Sequence, residues 1–333
     1  MTALRTRGAW LAIAVAAALV VAVGVAAAGA FGGCTGPATK AGRPSAAVTS
    51  SAYGSVAHVT AKTFAETVPR RVADTWGEIR GREAIYDTFQ RYGYFPRLQE
   101  FIAQGTGGRV HSANIIAIKE GDSAKRLVVG AHYDSAAVGQ GYTDNATGFG
   151  LLLEMAARIK RQPTPYTIVF VAFGAEEQGV VGSRYYVDAL HGVERRATMG
   201  MIDLDAPAGG DQIGVTSASG GATWLRDDAL AAADSLGIAI ASTPPGGGGP
   251  TGVGRDAGDD DPFAAAGIAT ATFTSVNRGA GTLANDGDAD PVRPAHDTVA
   301  YVDSRYPGRV KKQLKELTRL LEALLTSKLE KRA

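Results

Sequence analysis

Acidic residues and one histidine follow apolar runs of strand length at three places in the sequence. The run RLVVGA is followed by His132 and then Asp134, TIVFVAF by Glu176 and Glu177, and MGMIDL by Asp205. Because the carboxyl ends of parallel strands meet at one edge of a sheet, we expect these side chains to lie close together. Crowded carboxylates repel one another and are costly to bury without a partner, so the pattern favours a site for a divalent cation.

The types of donor narrow the choice of metal. The sequence contains a single cysteine, Cys34, so a metal must bind to histidine and carboxylates. This donor set suits zinc, with manganese or cobalt as alternatives. Asp134 stands two residues after His132 on the same side of a strand, where it can orient the imidazole. Of two adjacent glutamates, one can bind metal while the other takes a proton from an attacking water.

Strand-like runs alternate with helical patterns through the middle of the chain. The runs of strand length cover 114–118, 126–131, 167–173 and 199–204, and the helical patterns cover 147–160, 181–190 and 309–328. This alternation predicts an α/β fold: a single three-layer domain with a mostly parallel (mixed) central sheet and helices on both faces. The region 63–103 has a mostly helical spacing of apolar residues, and the glycine-rich stretch 244–254 predicts a surface loop.

The N-terminal segment has the features of an export signal. Two arginines precede a long run without charge, and Cys34 follows Phe31-Gly32-Gly33 in a context that resembles a bacterial lipoprotein cleavage box. The alternative is an uncleaved anchor helix, because the run is long enough to cross a bilayer. Both readings place the rest of the chain outside the cytoplasm and tethered to a membrane. We therefore expect a signal or anchor at 1–33, a flexible tether at 34–61 and the globular domain at 62–333.

The charge balance excludes one class of partner. The 333 residues include 34 Lys or Arg and 33 Asp or Glu, so the net charge is close to zero. This balance argues against a protein that grips nucleic acid through charge.

Four segments taken together resemble the co-catalytic zinc aminopeptidases of metallopeptidase family 28. They are GAHYDS, GYTDNATGFGLLLEMA, FVAFGAEEQGVVGSRYYV and MIDLDA, and they occur in the order found in that family. The resemblance implies a zinc-peptidase architecture, two zinc ions per chain, and peptide or small-protein N-termini as substrates.

The resemblance also implies a role for each matching residue. His132 and Asp205 would bind one zinc, Asp144 would bridge both zincs, and Glu177 would bind the other. Glu176 would be the general base for a zinc-activated water. Asp134 would orient His132, and with Glu176 it would make up the predicted catalytic residues.

One family ligand departs from the usual pattern. The family usually has a histidine four residues before an Asp-Thr pair, but here Arg293 occupies that position and His296 directly precedes Asp297. His296 is the candidate for the last ligand of the zinc beside Glu177. If it does not bind, the enzyme would hold one metal or be inactive.

Two other functions fit the same fold. Glutaminyl-peptide cyclotransferases resemble this family and use one zinc to cyclise N-terminal glutamine. Receptor-like relatives keep the fold as binding modules without activity. The acidic stretch 259–261 suggests either a solvated turn that caps a helix or a site for a cationic group of the substrate.

Overall fold

The computed structural model describes residues 52–242, 257–277, 282–283 and 294–329. The N-terminal signal or anchor with Cys34, the residue Arg293 and the whole glycine-rich stretch 244–254 lie outside those ranges, so the expectations made for them stay predictions. None of the helices within the described residues is both long and apolar enough to cross a membrane.

The described part of the chain alternates helices and strands. The helices are α1 (Ser55–Thr67), α2 (Trp76–Arg91), α3 (Thr147–Ile159), α4 (Val181–Asp188), α5 (Gly192–Ala197), α6 (Trp224–Ser235), α7 (Asp261–Ala265), α8 (Val299–Arg305) and α9 (Arg309–Thr326). The strands are β1 (Arg97–Gly105), β2 (Gly108–Lys119), β3 (Arg126–His132), β4 (Thr167–Phe173), β5 (Thr198–Leu204), β6 (Gln212–Thr216), β7 (Ile240–Ser242), β8 (Ala269–Asn277) and β9 (Thr282–Leu283).

The strands form one mixed sheet that is parallel at its centre. Their order is β1-β2-β4-β3-β5-β8-β6-β7, with β9 paired to β8. The central neighbours β4, β3, β5 and β8 run parallel. At the flanks, β1 pairs antiparallel with β2, β2 with β4 and β6 with β8, while β7 runs parallel to β6. The predicted α/β domain with a mixed sheet is therefore confirmed.

Both faces of the sheet are covered, as a three-layer fold requires. On β4, Ile168, Phe170 and Ala172 face the larger core beneath α1, α3, α6 and α9. The alternate residues Val169, Val171 and Phe173 pack in the smaller core with side chains of α4 and α7. A strand buried on both faces is a continuous apolar run, which explains why the sequence identified β4 without error in its bounds.

The N-terminal part of the domain differs from the sequence-based expectation in two places. Helix α1 begins at Ser55, inside the stretch 34–61 expected to be a tether, and its Ala57 and Ala61 are buried. His58 on this helix is therefore partly buried, and burial lowers its pKa. The helical expectation for 63–103 is wrong at its end, because β1 occupies Arg97–Gly105 and pairs antiparallel with β2.

Candidate metal centre

Three parallel strands deliver the predicted residues to one edge of the sheet. His132 is the last residue of β3 and pairs with Phe173, the last residue of β4. Glu176 follows three residues after β4, and Asp205 follows directly after β5. The parallel register therefore places the three chain segments side by side, as the rule for strand ends predicts.

His132, Asp144 and Asp205 form a compact group of potential metal ligands. The Nε2 atom of His132 lies 3.1 Å from Oδ1 of Asp144 and 3.4 Å from Oδ1 of Asp205. Their ligand atoms all lie within 4.8 Å of one another, and no other group of three His, Cys, Asp or Glu side chains within the described ranges meets this limit. The imidazole is buried, whereas both carboxylates remain partly open to solvent.

The chemistry of these three residues fits a zinc ion. One imidazole nitrogen and two carboxylates supply nitrogen and oxygen donors, and three protein ligands are typical of catalytic zinc. Burial alone would lower the pKa of His132, but the carboxylates of Asp134, Asp144 and Asp205 raise it well above its ordinary value. The position thus favours positive charge, which a metal ion would supply in place of a proton.

The turn that carries Asp144 is held by Asp297. This turn is the segment Tyr142–Ala146, just before α3, and Asp144 and Asn145 within it have non-helical backbone angles. The buried carboxylate of Asp297 accepts hydrogen bonds from the backbone nitrogen of Thr143 at 2.6 Å, from its hydroxyl at 2.8 Å and from the backbone nitrogen of Asp144 at 3.1 Å. The segment before α8 therefore determines where the Asp144 carboxylate points, although it lies about 150 residues further along the chain.

Asn145 links this turn to the end of β5. Its side-chain nitrogen donates to the carbonyl of Leu204 at 2.8 Å. Its side-chain oxygen accepts from the backbone nitrogen of Ala206 at 3.1 Å and from that of Gly148 at 3.1 Å. Asp144 and Asp205 are the sequence neighbours of these groups, so the Asn145 side chain sets the spacing between the two carboxylates.

Asp134 occupies a different place in the network from the one predicted. Its Oδ1 lies 3.7 Å from Nδ1 of His132, which is too long for a hydrogen bond. The buried carboxylate accepts instead from the backbone nitrogens of Glu176 at 3.0 Å and Glu177 at 3.1 Å. Asp134 therefore orients the glutamate pair, while Nδ1 of His132 makes no hydrogen bond.

The two glutamates lie in a strongly acidic environment. Desolvation, together with Asp259, Asp205 and Asp134, raises the pKa of Glu176 well above its ordinary value, although His132 opposes the shift. Desolvation and the neighbouring Asp144 raise the pKa of Glu177 to about 8. Such shifts are typical of carboxylates that share a site, and they would be reversed by a bound cation.

Glu177 and His296 do not belong to the compact group of three. The ring of His296 stacks on Tyr301 with centroids 4.4 Å apart and planes 9° apart. Its Nδ1 atom is buried and makes no hydrogen bond. The second zinc ion, which these two residues were predicted to bind, thus stays a prediction.

Asp259 is a site residue that the sequence left undecided. It is 2% exposed, so it is not part of a solvated turn, and its charge acts on Glu176. Burial raises its pKa to about 7. The acidic run 259–261 signalled it, but only the fold shows that Asp259 is buried and that its charge raises the pKa of Glu176.

The sequence model of peptidase family M28 matches residues 114–318. The chain belongs to peptidase family M28. The match contains every predicted site residue from His132 to His296, and it includes the three strand ends described above.

Relatives with sequence similarity support the same placement. The alkaline phosphatase isozyme conversion protein of Escherichia coli is 30% identical over 313 residues, which cover 82% of this chain and 90% of that protein. Aminopeptidase YwaD of Bacillus subtilis is 34% identical over 169 residues, 49% of this chain and 35% of that protein. The probable lipoprotein aminopeptidase LpqL of Mycobacterium tuberculosis is 44% identical over 79 residues, 23% of this chain and 16% of that protein.

Solved structures of other proteins share the fold. The zinc aminopeptidase BSAP of Bacillus subtilis superposes with a TM-score of 0.69 at 18% identity, over 82% of this chain and 94% of that one. The glutaminyl cyclase of Porphyromonas gingivalis superposes with a TM-score of 0.66 at 18% identity, over 82% of this chain and 98% of that one. The fold is thus shared with an aminopeptidase and with a cyclase, and the likeness does not choose between the two reactions.

Proposed function

We propose that this M28 protein is a zinc aminopeptidase that removes N-terminal residues from peptides. The observation that supports the proposal most directly is the convergence of His132, Asp144 and Asp205 beside the backbone-anchored Glu176. The similarity to aminopeptidase YwaD, at 34% identity, adds support for peptide hydrolysis.

The residues would divide the chemistry among themselves. His132, Asp144 and Asp205 would hold one zinc ion, which would supply a Lewis acid for the scissile carbonyl. Glu176 would take a proton from the attacking water and return it to the leaving amine. Asp134 would hold the backbone of Glu176 in place through the 3.0 Å hydrogen bond to its nitrogen.

Glu177 and His296 would hold a second zinc ion together with Asp144. The raised pKa of Glu177 supports a nearby cation, because its carboxyl gains a favourable partner when a positive charge binds. The buried Nδ1 of His296, which lacks a hydrogen bond, is available as a donor or a ligand. The number of zinc ions bound per chain is therefore a direct test of these assignments.

The protein would act outside the cytoplasm on a membrane. The resemblance of the segment before Cys34 to a lipoprotein cleavage box supports this location, and so does the similarity to a probable lipoprotein aminopeptidase of Mycobacterium tuberculosis. The membrane partner would be bound through the N-terminal lipid or an anchor helix. Labelling cells with a radioactive fatty acid would test lipidation at Cys34. The wild-type protein should carry the label, and the Cys34→Ala variant should not.

Metal analysis combined with a substrate panel tests the proposed reaction. Purified protein is assayed for zinc per chain and for release of amino acids from aminoacyl amides, before and after treatment with a chelator. Two zincs with chelator-sensitive release are expected. One zinc, with pyroglutamate formed from N-terminal glutamine and no amino acid released, would indicate a cyclase. Neither zinc nor turnover would indicate a binding module.

A further inference from the structure

Arg71 is a fully buried arginine whose guanidinium donates its hydrogen bonds to backbone carbonyls. Its Nε donates to Tyr133 at 2.7 Å, its Nη2 to Gly141 at 2.8 Å, and its Nη1 to both Gln140 and Val68 at 3.1 Å. A buried charge is costly unless its donors are satisfied, and here four backbone carbonyls satisfy those of Arg71.

Three of these carbonyls belong to the segment that connects two metal ligands. Tyr133 directly follows His132, and Gly141 stands three residues before Asp144. The planar guanidinium therefore ties both ends of the segment 133–141 to one rigid group. An arginine suits this task because its donors form a fixed fork.

Further contacts hold the same segment against the backbone of Arg71. The backbone nitrogen of Arg71 donates to the hydroxyl of Ser135 at 2.9 Å, and the nitrogen of Ser135 donates to the carbonyl of Arg71 at 3.2 Å. Gly141 has a φ of 59°, and a Cβ atom there would lie 2.6 Å from Nη2 of Arg71. The guanidinium thus occupies the space that a side chain at 141 would need, and the glycine admits it.

We propose that Arg71 is a positioning residue of the metal centre. It fixes the segment 133–141 so that His132 and Asp144 are presented to the same ion before that ion binds. Asp297 holds the other end of the turn through Thr143 and Asp144, so the two residues clamp it from both sides. This inference rests on the proposed zinc site.

The positive charge of Arg71 should weaken zinc binding, whereas its hydrogen bonds to the segment 133–141 should strengthen it. Its charged neighbours include Asp297, Asp134 and Asp144, and its positive charge weakens their attraction for a cation. If the charge were its main contribution, removing it would tighten zinc binding. If positioning is its main contribution, any change that breaks the fork weakens zinc binding, whether or not the charge remains.

The test compares Arg71 with Arg158, a second buried arginine that serves as the matched control. Arg158 lies on α3 and pairs with Glu154 at 2.7 Å. Arg71→Lys and Arg71→Met are compared with Arg158→Lys and Arg158→Met. Zinc affinity of the metal-free proteins is measured by competition with a chelator, and thermal unfolding is followed with and without zinc.

Positioning predicts weaker zinc binding in both Arg71 variants, by about 10- to 100-fold, the usual effect of losing a partner of the ligands. The Arg158 variants should unfold at lower temperature and bind zinc as the wild type does. Wild-type zinc affinity in both Arg71 variants, or tighter binding in Arg71→Met, would overturn the inference.

Two milder variants keep the test decisive if Arg71→Met does not fold. Arg71→Lys retains the charge, and Ser135→Ala removes one hydrogen bond to the Arg71 backbone. Unchanged zinc affinity in both would overturn the positioning role while leaving the proposed function intact. A wild-type protein that binds no zinc would instead reject the proposed function, and with it the role of Arg71.

Discussion

The surroundings of Glu154 and the metal centre both contain buried carboxylates, but only around Glu154 does the chain itself supply the opposite charge. Glu154 is fully buried and accepts hydrogen bonds from Nε of Arg158 at 2.7 Å and from the backbone nitrogens of Gly54 at 3.0 Å and Ala57 at 2.7 Å. At the metal centre, several carboxylates converge on His132, and the nearby Arg71 donates its hydrogen bonds to carbonyls.

The comparison shows how a structural charge differs from a functional one. Glu154 has its counter-charge and its backbone donors within the chain, so the pair joins α1 to α3 without any ligand. The metal centre keeps an excess of negative charge whose partner must come from outside. Raised pKa values of Glu176, Glu177 and Asp259 express that excess.

The largest effects are expected from two substitutions, one of which should lower stability and the other zinc binding. Glu154→Gln leaves Arg158 buried without its carboxylate, which should lower the free energy of unfolding by about 3–5 kcal/mol, as breaking a buried pair usually does. Asp144→Asn should abolish zinc binding at this centre and leave the metal-free protein as stable as the wild type. Denaturant unfolding and zinc titration measure the two properties. A destabilised Asp144→Asn protein that still binds zinc would contradict the distinction.

Glu176→Gln should lower kcat by about 100-fold or more while zinc content stays unchanged, because the amide cannot accept a proton. Initial rates on an aminoacyl amide and metal analysis check both halves. Glu66→Gln on the exposed face of α1 is the control, and it should keep wild-type kcat. Wild-type turnover in Glu176→Gln would exclude Glu176 as the general base.

Asp259→Asn should raise KM for peptides with a free N-terminus by about tenfold, with a smaller effect on kcat. A buried carboxylate beside Glu176 would attract the substrate ammonium group, and a charged hydrogen bond contributes about 1.5–3 kcal/mol. The neighbouring Asp261→Asn, which is less buried, is the control. Equal KM values for both variants and the wild type would remove Asp259 from the binding site.

The smallest expected effect is a dependence of metal-free stability on pH. The pKa values of Glu177, about 8, and Asp259, about 7, are raised, so the folded protein binds more protons than the unfolded chain between about pH 4.5 and 8. Stability of the metal-free protein should therefore fall as pH rises through this window, by at least about 2 °C in Tm. The stabilisation by added zinc should grow over the same window.

Thermal scans between pH 5 and 8, with and without zinc, measure this dependence. Glu177→Gln removes one of the titrating groups and should give a shallower slope. A Tm of the metal-free protein that rises steadily towards pH 8 would show that these carboxyls do not carry an excess of charge in the folded state.

The central strands β3, β4 and β5 could be predicted from sequence, whereas the central strand β8 and the edge strand β1 were not. The bounds of β3 and β5 were predicted to within one residue because their apolar runs are continuous. On edge strand β1, Phe101 is the only buried residue, so its apolar pattern is too weak to distinguish it from a helix. The first part of α1, before residue 62, was missed because its buried residues are the small Ala57 and Ala61. The packing there is close, since a Cβ on Gly150 of α3 would lie 2.8 Å from the Ala57 carbonyl.

The local sequence determined which residues can bind metal and in what order they follow the strands. His132, Glu176, Glu177 and Asp205 could be named from their types and from the apolar runs before them. Asp144 could be named from its place before a predicted helix and from the family resemblance. The tertiary structure decided how they are spaced, through Asn145, Asp297 and Arg71. Each of these three side chains makes a hydrogen bond to a group roughly 60 to 150 residues away along the chain. A short sequence pattern cannot reveal contacts between such distant residues. The distances between the ligand atoms depend on contacts between distant parts of the chain, whereas the identity of each ligand depends on a single residue.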